Sequence, residues 1–286
     1  MVHNKVSTLA AVILIALFTV VALPSQAQAQ DFEMKPAFKF VDDQAEVKII
    51  GGVKADPAEW PATFIFARAQ KGSCTSTAIG PHSILTAAHC VNDQATGFIE
   101  LPNRTRIAAR CHHHSGYHQK VADDDPQWEP KVSPDFALCF TKDAMTGIEF
   151  ERINADLMVL EKARSVHLLG FGCNAVGGVD RGFGILYEGD AGITSLPSGR
   201  SYYTRTFGGA AVCYGDSGGS AYLYLNQGSR FARVLIGVNS RGDIRTESLL
   251  STTSVSGFVE WATRISKAEG RMICGLHPEA PGCRPI

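Results

Sequence analysis

The chain has 286 residues, of which 45% are hydrophobic, and its 27 basic and 28 acidic side chains leave a formal charge of -1. This length and apolar content suffice for one large core or two modest ones. The near-zero charge argues against a nucleic-acid partner and against a basic membrane-binding surface, so we expect neither.

The first 29 residues are typical of a secretory signal peptide. His3 and Lys5 precede an apolar run at residues 9–23, and the Ala-Gln-Ala pattern at residues 27–29 suits cleavage after Ala29. The alternative is an uncleaved membrane anchor, for which the apolar run is short. We therefore expect an exported protein that has no membrane attachment once residues 1–29 are removed.

The remaining chain shows the pattern of an all-β protein after a charged, irregular leader at residues 30–48. Strand-sized apolar runs are broken by glycine, proline and polar turns, with no sustained helical period. These runs lie at residues 63–67, 76–79, 83–86, 106–109, 136–140, 220–225 and 231–238, and the last two predict a hairpin.

One helix is expected near the C-terminus, at residues 256–265. Phe258, Trp261 and Ile265 have spacings that share one helix face, and Ser256 is the predicted N-cap.

A histidine-rich segment, Cys-His-His-His at residues 111–114 followed by His118, raises the alternative of a zinc site. Neighbouring strand side chains point to opposite faces, so His112 and His114 can converge but His113 cannot join them. A closed zinc site needs about four ligands, and we therefore expect no metal. The acids at residues 123–125 precede a proline and predict a solvated turn, and Asn103 begins a glycosylation sequon.

Three separated segments supply the residue types of a nucleophilic serine site. They are Thr-Ala-Ala-His-Cys at residues 86–90, Asp-Phe-Ala-Leu at residues 135–138 and Gly-Asp-Ser-Gly-Gly at residues 215–219. An attacking serine needs a base and donors for the charge it creates, and flanking glycines leave it accessible. His89, Asp135 and Ser217 are the candidates for base, orienting carboxylate and nucleophile.

In this order, the three segments resemble the signature segments of the trypsin-like (chymotrypsin-fold) serine peptidases. The resemblance runs from about residue 49 to about residue 268 and implies two packed six-stranded antiparallel β-barrels with a C-terminal α-helix. It implies a peptidase domain at residues 49–270, divided near residues 155–165 with the cleft between the barrels. Residues 271–286 form a C-terminal extension to which we assign no function.

The same resemblance implies an activation step and an oxyanion site. Cleavage after Lys48 would remove residues 30–48 as a propeptide and free an ammonium at Ile49, which in the family pairs with the residue corresponding to Asp216. A buried carboxylate without a partner is costly, so this pair would shape the neighbouring loop. The backbone N–H groups of Gly215 and Ser217 would then hold the oxyanion.

Substrate preference is expected to depend on residues that line the primary pocket. Ala211 stands where trypsin-type members carry an acid, which argues against a preference for lysine or arginine. Ser240 and Gly242 would form the opposite wall, with Arg241 where an aromatic is usual and Leu250 where large-pocket members have glycine. We expect small or medium apolar residues before the scissile bond.

Eight cysteines in an exported chain predict four disulfides rather than metal thiolates, and sequence alone leaves 105 pairings. The resemblance implies a bridge that closes the loop carrying the histidine. This bridge would join Cys74 to Cys90. Position in the expected fold suggests the other three pairs: Cys111 with Cys139, Cys173 with Cys213, and Cys274 with Cys283.

Together these features predict a secreted serine endopeptidase that acts through an acyl-enzyme and needs no cofactor. Its partners would be a protein or peptide substrate and an activating protease, and we expect a monomer. Three alternatives remain: a catalytically inactive homologue that acts as a secreted binding protein, an esterase, and the zinc-binding role.

Overall fold

The computed structural model describes Met1 and residues 49–67, 73–101, 105–118, 133–173, 175–177, 183–199, 201–227 and 230–286. The expected cleavage sites after Ala29 and Lys48, the sequon at Asn103 and the acidic turn at residues 123–125 lie outside these residues.

The first half of the domain contains a two-residue strand and six longer ones: β1 (Val53–Lys54), β2 (Thr63–Ala67), β3 (Ser73–Gly80), β4 (Ser83–Thr86), β5 (Thr96–Glu100), β6 (Arg106–His113) and β7 (Ala137–Thr141). The six longer strands are antiparallel and close the first barrel in the order β2-β3-β4-β7-β6-β5, with β5 pairing back to β2. Phe66, Ile79, Leu85 and Leu138 are wholly buried and fill its interior.

Residues 142–164 connect the barrels and include a short helix, α1 (Leu157–Glu161). The side chain of Asp156 caps the N-terminus of this helix by accepting the N–H of Met158 at 2.9 Å. The second barrel consists of β8 (Ser165–Gly170), β9 (Tyr187–Ser195), β10 (Tyr203–Gly209), β11 (Ser220–Gln227), β12 (Arg230–Gly242) and β13 (Glu247–Thr252).

The second barrel closes because β8 pairs with both β9 and β11, and β1 adds to its outer side along β9. The predicted hairpin is present as β11 and β12, with Ser220 opposite Val238. The all-β prediction of two six-stranded antiparallel barrels is confirmed.

The C-terminal helix, α2 (Ser256–Ala268), is present, but the predicted cap is wrong by one residue. Val255 occupies the N-cap position and Ser256 is the first helical residue, with no side-chain capping bond. Phe258 and Trp261 are buried as the pattern indicated, and the Phe258 ring lies 4.5 Å from that of Phe136. The helix thereby packs against the residue that follows Asp135.

Residues beyond α2 pack onto the first barrel and the connection between the barrels. The N–H of Cys274 donates to the carbonyl of Ile79 at 2.7 Å, and the carbonyl of Cys274 accepts the N–H of Ile153 at 2.9 Å. The extension therefore adds to the core, with Ile273 wholly buried. No helix within the described ranges is long and apolar enough to span a lipid bilayer.

His167 links β8 to β9 through two carboxylates, which predicts a pH-dependent stability. Its ring contacts Asp190 at 2.8 Å through Nδ1 and Glu188 at 3.2 Å through Nε2, stacked on Trp60 and edge-on to Tyr224. Burial lowers the pKa of His167, but the two carboxylates outweigh it and raise the pKa above the ordinary 6.5.

Because the folded pKa is raised, the stabilisation by His167 is complete below pH 6.5 and is lost as pH rises through the higher folded value. We expect the melting temperature to fall over that interval in the parent and to fall less in His167→Gln. A His82→Gln variant is the control, since the His82 ring contacts a neutral group, the carbonyl of Thr141, at 3.3 Å. Equal slopes in all three proteins would contradict this prediction.

Candidate active site

His89 lies on a short 3-10 turn (Ala88–Cys90) that follows β4 after a single residue, Ala87. The Cys74–Cys90 disulfide ties this turn to β3. The His89 side chain is 21% exposed, whereas Asp135 beside it is wholly buried. The ring therefore faces solvent on one side and a carboxylate on the other.

Asp135 precedes β7 and binds the histidine twice. Its Oδ2 lies 2.7 Å from Nδ1 of His89, and its Oδ1 accepts the backbone N–H of His89 at 3.0 Å. Oδ2 also accepts the hydroxyl of Ser240 at 2.6 Å. A carboxylate in this position requires the proton of the neutral ring to sit on Nδ1, which leaves Nε2 as the basic atom.

The charge of Asp135 is maintained despite its burial. Burial by itself raises the pKa of this carboxyl, but the charge and hydrogen bonds of His89 and the Ser240 hydroxyl together lower it to about 2. Asp135 is therefore ionised across the physiological range.

Ser217 belongs to the second barrel and meets the first barrel beside the histidine turn. Its carbonyl accepts the N–H of Thr75 at 2.8 Å and lies 3.6 Å from Sγ of Cys90. Sγ of Cys90 is in turn within 4.8 Å of a ring nitrogen of His89. Within the described chain the Ser217 hydroxyl makes no hydrogen bond, so the structure brings Ser217 next to His89 without joining Oγ to the ring.

The turn around Ser217 leaves two backbone N–H groups without a protein acceptor among the residues described. Asp216 donates to the carbonyl of Cys213 at 3.1 Å and Gly218 donates to that of Asn239 at 2.8 Å, while Gly215 and Ser217 make no such bond. Gly215 has φ +94°, a conformation that favours glycine, and its carbonyl accepts the Thr75 hydroxyl at 2.9 Å. These two N–H groups can bind an external oxyanion.

Asp216 is wholly buried and is held by backbone donors. Its Oδ1 accepts the N–H of Gly172 and its Oδ2 that of Cys213, both at 2.8 Å. Burial raises its pKa to about 7, because the two N–H bonds offset the lost hydration only in part. None of the described ion pairs involves this carboxylate.

Ile49 lies in the second-barrel core and is wholly buried, packed in a cluster with Leu160 and Tyr187. It has φ +38°, which is unfavourable for a β-branched side chain. Lys48, the expected cleavage position, lies outside the described residues.

The residues predicted to line the primary pocket have different surroundings. Ala211 is wholly buried and packs with Ile50 and Cys213 at the expected base of the pocket. The hydroxyl of Ser240, a residue predicted for the opposite wall, donates to Asp135 at 2.6 Å. Arg241 lies next along the strand, with Nε 3.4 Å from the Ser240 hydroxyl.

Val212, which sequence reasoning missed, lies against Gly242, a residue predicted for the pocket wall. A Cβ placed on Gly242 would lie 2.8 Å from Cγ2 of Val212. Leu250 is wholly buried in the same hydrophobic cluster as Val212. The sequence offered one indication of this position, since Val212 directly follows Ala211, the residue predicted at the base of the pocket.

The side chains of the three consecutive histidines at residues 112–114 have separate partners. His112 pairs with Glu269 at 2.9 Å, Nε2 of His113 contacts the carbonyl of Val91 at 2.6 Å, and Nε2 of His114 contacts that of Gly257 at 3.1 Å. Within the described ranges, the grouping of possible ligand atoms is Cys74, His89 and Cys90, and both sulfurs are in a disulfide.

All eight cysteines are paired. The pair expected from the resemblance, Cys74–Cys90, is present, and so are the three expected from position in the fold, Cys111–Cys139, Cys173–Cys213 and Cys274–Cys283. Such a set is consistent with an extracellular location.

A search of the curated proteins found no match to this chain. A comparison with models of protein families gave a match to the family described as Trypsin, over residues 49–262. This match covers most of the chain and both barrels, and it implies a protein substrate. The chain therefore belongs to the trypsin family of serine peptidases.

Proposed function

We propose that the chain is a secreted serine endopeptidase, made with a signal peptide at residues 1–29 and a propeptide at residues 30–48. The observation that carries the proposal is the buried, ionised Asp135 bound to Nδ1 of His89, next to a glycine-flanked serine with two available N–H groups. Export is supported by the four disulfides and the N-terminal pattern.

In the proposed reaction, Nε2 of His89 takes the proton of Ser217 as Oγ attacks the peptide carbonyl. The N–H groups of Gly215 and Ser217 stabilise the oxyanion, and Asp135 stabilises the imidazolium. His89 then returns the proton to the leaving amine, and water hydrolyses the acyl-enzyme by the same steps. In an unliganded site the bond from serine to histidine is often long and tightens when substrate binds.

The test is to profile the activated protein against a peptide library, with Ser217→Ala as the control. Cleavage that depends on Ser217 supports the endopeptidase. Binding of peptides without cleavage favours the inactive homologue, and hydrolysis of esters alone favours an esterase.

We propose a preference for small or medium apolar residues before the scissile bond, because the approach of Val212 to Gly242 would narrow the expected pocket. Val212→Ala removes two methyl groups from the contact with Gly242, and we expect kcat/KM for leucine relative to alanine at that position to rise about tenfold. The measurement uses a matched series of peptides differing in that residue. Val176→Ala is the control, since this side chain is 57% exposed. An unchanged ratio would show that Val212 does not limit the pocket.

Activation is proposed to follow cleavage after Lys48. The new ammonium of Ile49 would supply the cation that the buried Asp216 lacks among the described ion pairs. We expect Lys48→Gln to keep the chain uncut and to lower kcat/KM by about tenfold or more, because the oxyanion turn loses this support. Lys54→Gln, on exposed β1, is the matched control. Undiminished hydrolysis by uncut Lys48→Gln would reject the activation step.

A further inference from the structure

The carboxylate of Asp216 connects two segments of the second barrel that are also joined covalently. One of its N–H donors is Cys213 and the other is Gly172, the neighbour of Cys173. The Cys173–Cys213 disulfide spans 40 residues of sequence and joins these two donor segments. The covalent link and the two hydrogen bonds therefore constrain the same turn.

The two segments are packed too closely for any side chain to separate them. The N–H of Cys173 donates to the carbonyl of Tyr214 at 2.8 Å. A Cβ on Gly215 would lie 2.9 Å from Cα of Gly172, and one on Gly172 would lie 2.5 Å from the backbone nitrogen of Asp216. The path of residues 213–217 is therefore set by the position of Gly172 and Cys173, and this path determines where the N–H groups of Gly215 and Ser217 point.

We propose that Cys173 and Cys213 are positioning residues, whose disulfide holds the turn at residues 213–217 in its oxyanion-binding shape before the chain is cut after Lys48. This inference rests on the proposed function. It follows that the uncut chain has residual activity, which depends on this disulfide, and that the Ile49 ammonium adds to a turn already formed.

The test compares kcat, KM and inhibitor affinity in two backgrounds, the cleaved parent and uncut Lys48→Gln. In the uncut background we expect Cys173→Ala/Cys213→Ala to lower kcat by about 10- to 100-fold, with KM within about twofold, because misplaced oxyanion donors act mainly on the transition state. The affinity for a peptide aldehyde, whose adduct with Ser217 carries an oxyanion, should fall in parallel. In the cleaved parent the loss should be smaller.

The matched control is Cys274→Ala/Cys283→Ala, which removes a disulfide from the C-terminal extension. It should lower the melting temperature while leaving kcat and aldehyde affinity unchanged. Equal losses of kcat in the two alanine pairs would mean that the effect comes from general destabilisation, and would overturn the inference. An unchanged kcat in the Cys173/Cys213 pair in the uncut background would overturn it as well.

Two further outcomes separate the inference from the proposed function. If the cleaved parent shows no Ser217-dependent hydrolysis, the proposed function fails. If it hydrolyses peptides but kcat in the uncut background is insensitive to the Cys173/Cys213 pair, the inference alone fails. Should the alanine pair not fold, Cys173→Val/Cys213→Ala fills the lost volume and repeats the test. Failure of both pairs to fold would show that the disulfide supports the whole barrel rather than the turn, and would overturn the inference.

Discussion

Replacing Ser217 with alanine is expected to lower kcat for peptide hydrolysis by about a millionfold, the loss seen when the nucleophile is removed from a serine peptidase. The reason is that Nε2 of His89 then has no hydroxyl to activate, and no acyl-enzyme can form. Removing one half-buried hydroxyl that makes no hydrogen bond within the described chain should leave the fold and KM nearly unchanged. Steady-state kinetics with a fluorogenic peptide, together with an acyl-enzyme burst, measure the effect.

Ser198→Ala is the matched control, because Ser198 is exposed and lies on a connection in the second barrel. It should hydrolyse the peptide at the parent rate. A Ser217→Ala protein as active as the parent would remove the nucleophile from the proposed mechanism. An inactive parent would instead favour the homologue that binds without cleaving.

The contact between His89 and Asp135 was predictable from sequence because each residue lies in a short segment whose neighbours have local requirements. Ala87 and Ala88 are wholly buried, so the turn that carries His89 tolerates only small side chains. Phe136 anchors the residue after Asp135 beneath α2 through Phe258. The apolar runs likewise predicted most strands, because their length and alternation are local properties of the chain.

Other features of the site depend on contacts between residues far apart in sequence, and no local pattern indicates them. Ser240 is 105 residues from Asp135, and the hydrogen bond between them had no counterpart in the sequence-based predictions. Val212 lies against Gly242 of β12, which comes from a distant part of the chain. The helix cap was missed by one residue, as element boundaries are weakly encoded by local sequence.

Each barrel supports a candidate catalytic residue of the other. Ser240 on β12 of the second barrel donates to Asp135 of the first, and Thr75 on β3 of the first donates to the carbonyl of Ser217 in the second. Tyr203 on β10 adds a bond from its hydroxyl to the carbonyl of Ser133, at 2.5 Å. Relative movement of the barrels would therefore displace Asp135 and Ser217 together. Activity is accordingly expected to be sensitive to changes at the buried carboxylate of Asp135.

Asp135→Asn is expected to lower kcat by about 10⁴-fold, the loss known for the equivalent change in a serine peptidase with the same triad. An asparagine amide can donate its N–H to Nδ1 of His89, which moves the ring proton to Nε2 and leaves that nitrogen unable to accept the proton of Ser217. The neutral amide also cannot stabilise the imidazolium. The measurement is kcat against pH for parent and variant, with the histidine protons followed by NMR.

Acid unfolding supplies a second readout of the same change. Because the pKa of Asp135 is lowered from 3.8 to about 2, its stabilisation is present above pH 3.8 and is lost as pH falls towards 2. The parent should therefore lose stability over that interval more steeply than Asp135→Asn. Asp143→Asn, exposed just after β7, is the control and should match the parent in both rate and acid slope. An Asp135→Asn enzyme within about tenfold of the parent would mean that the tautomer of His89 is held by another group, and that the buried carboxylate is structural.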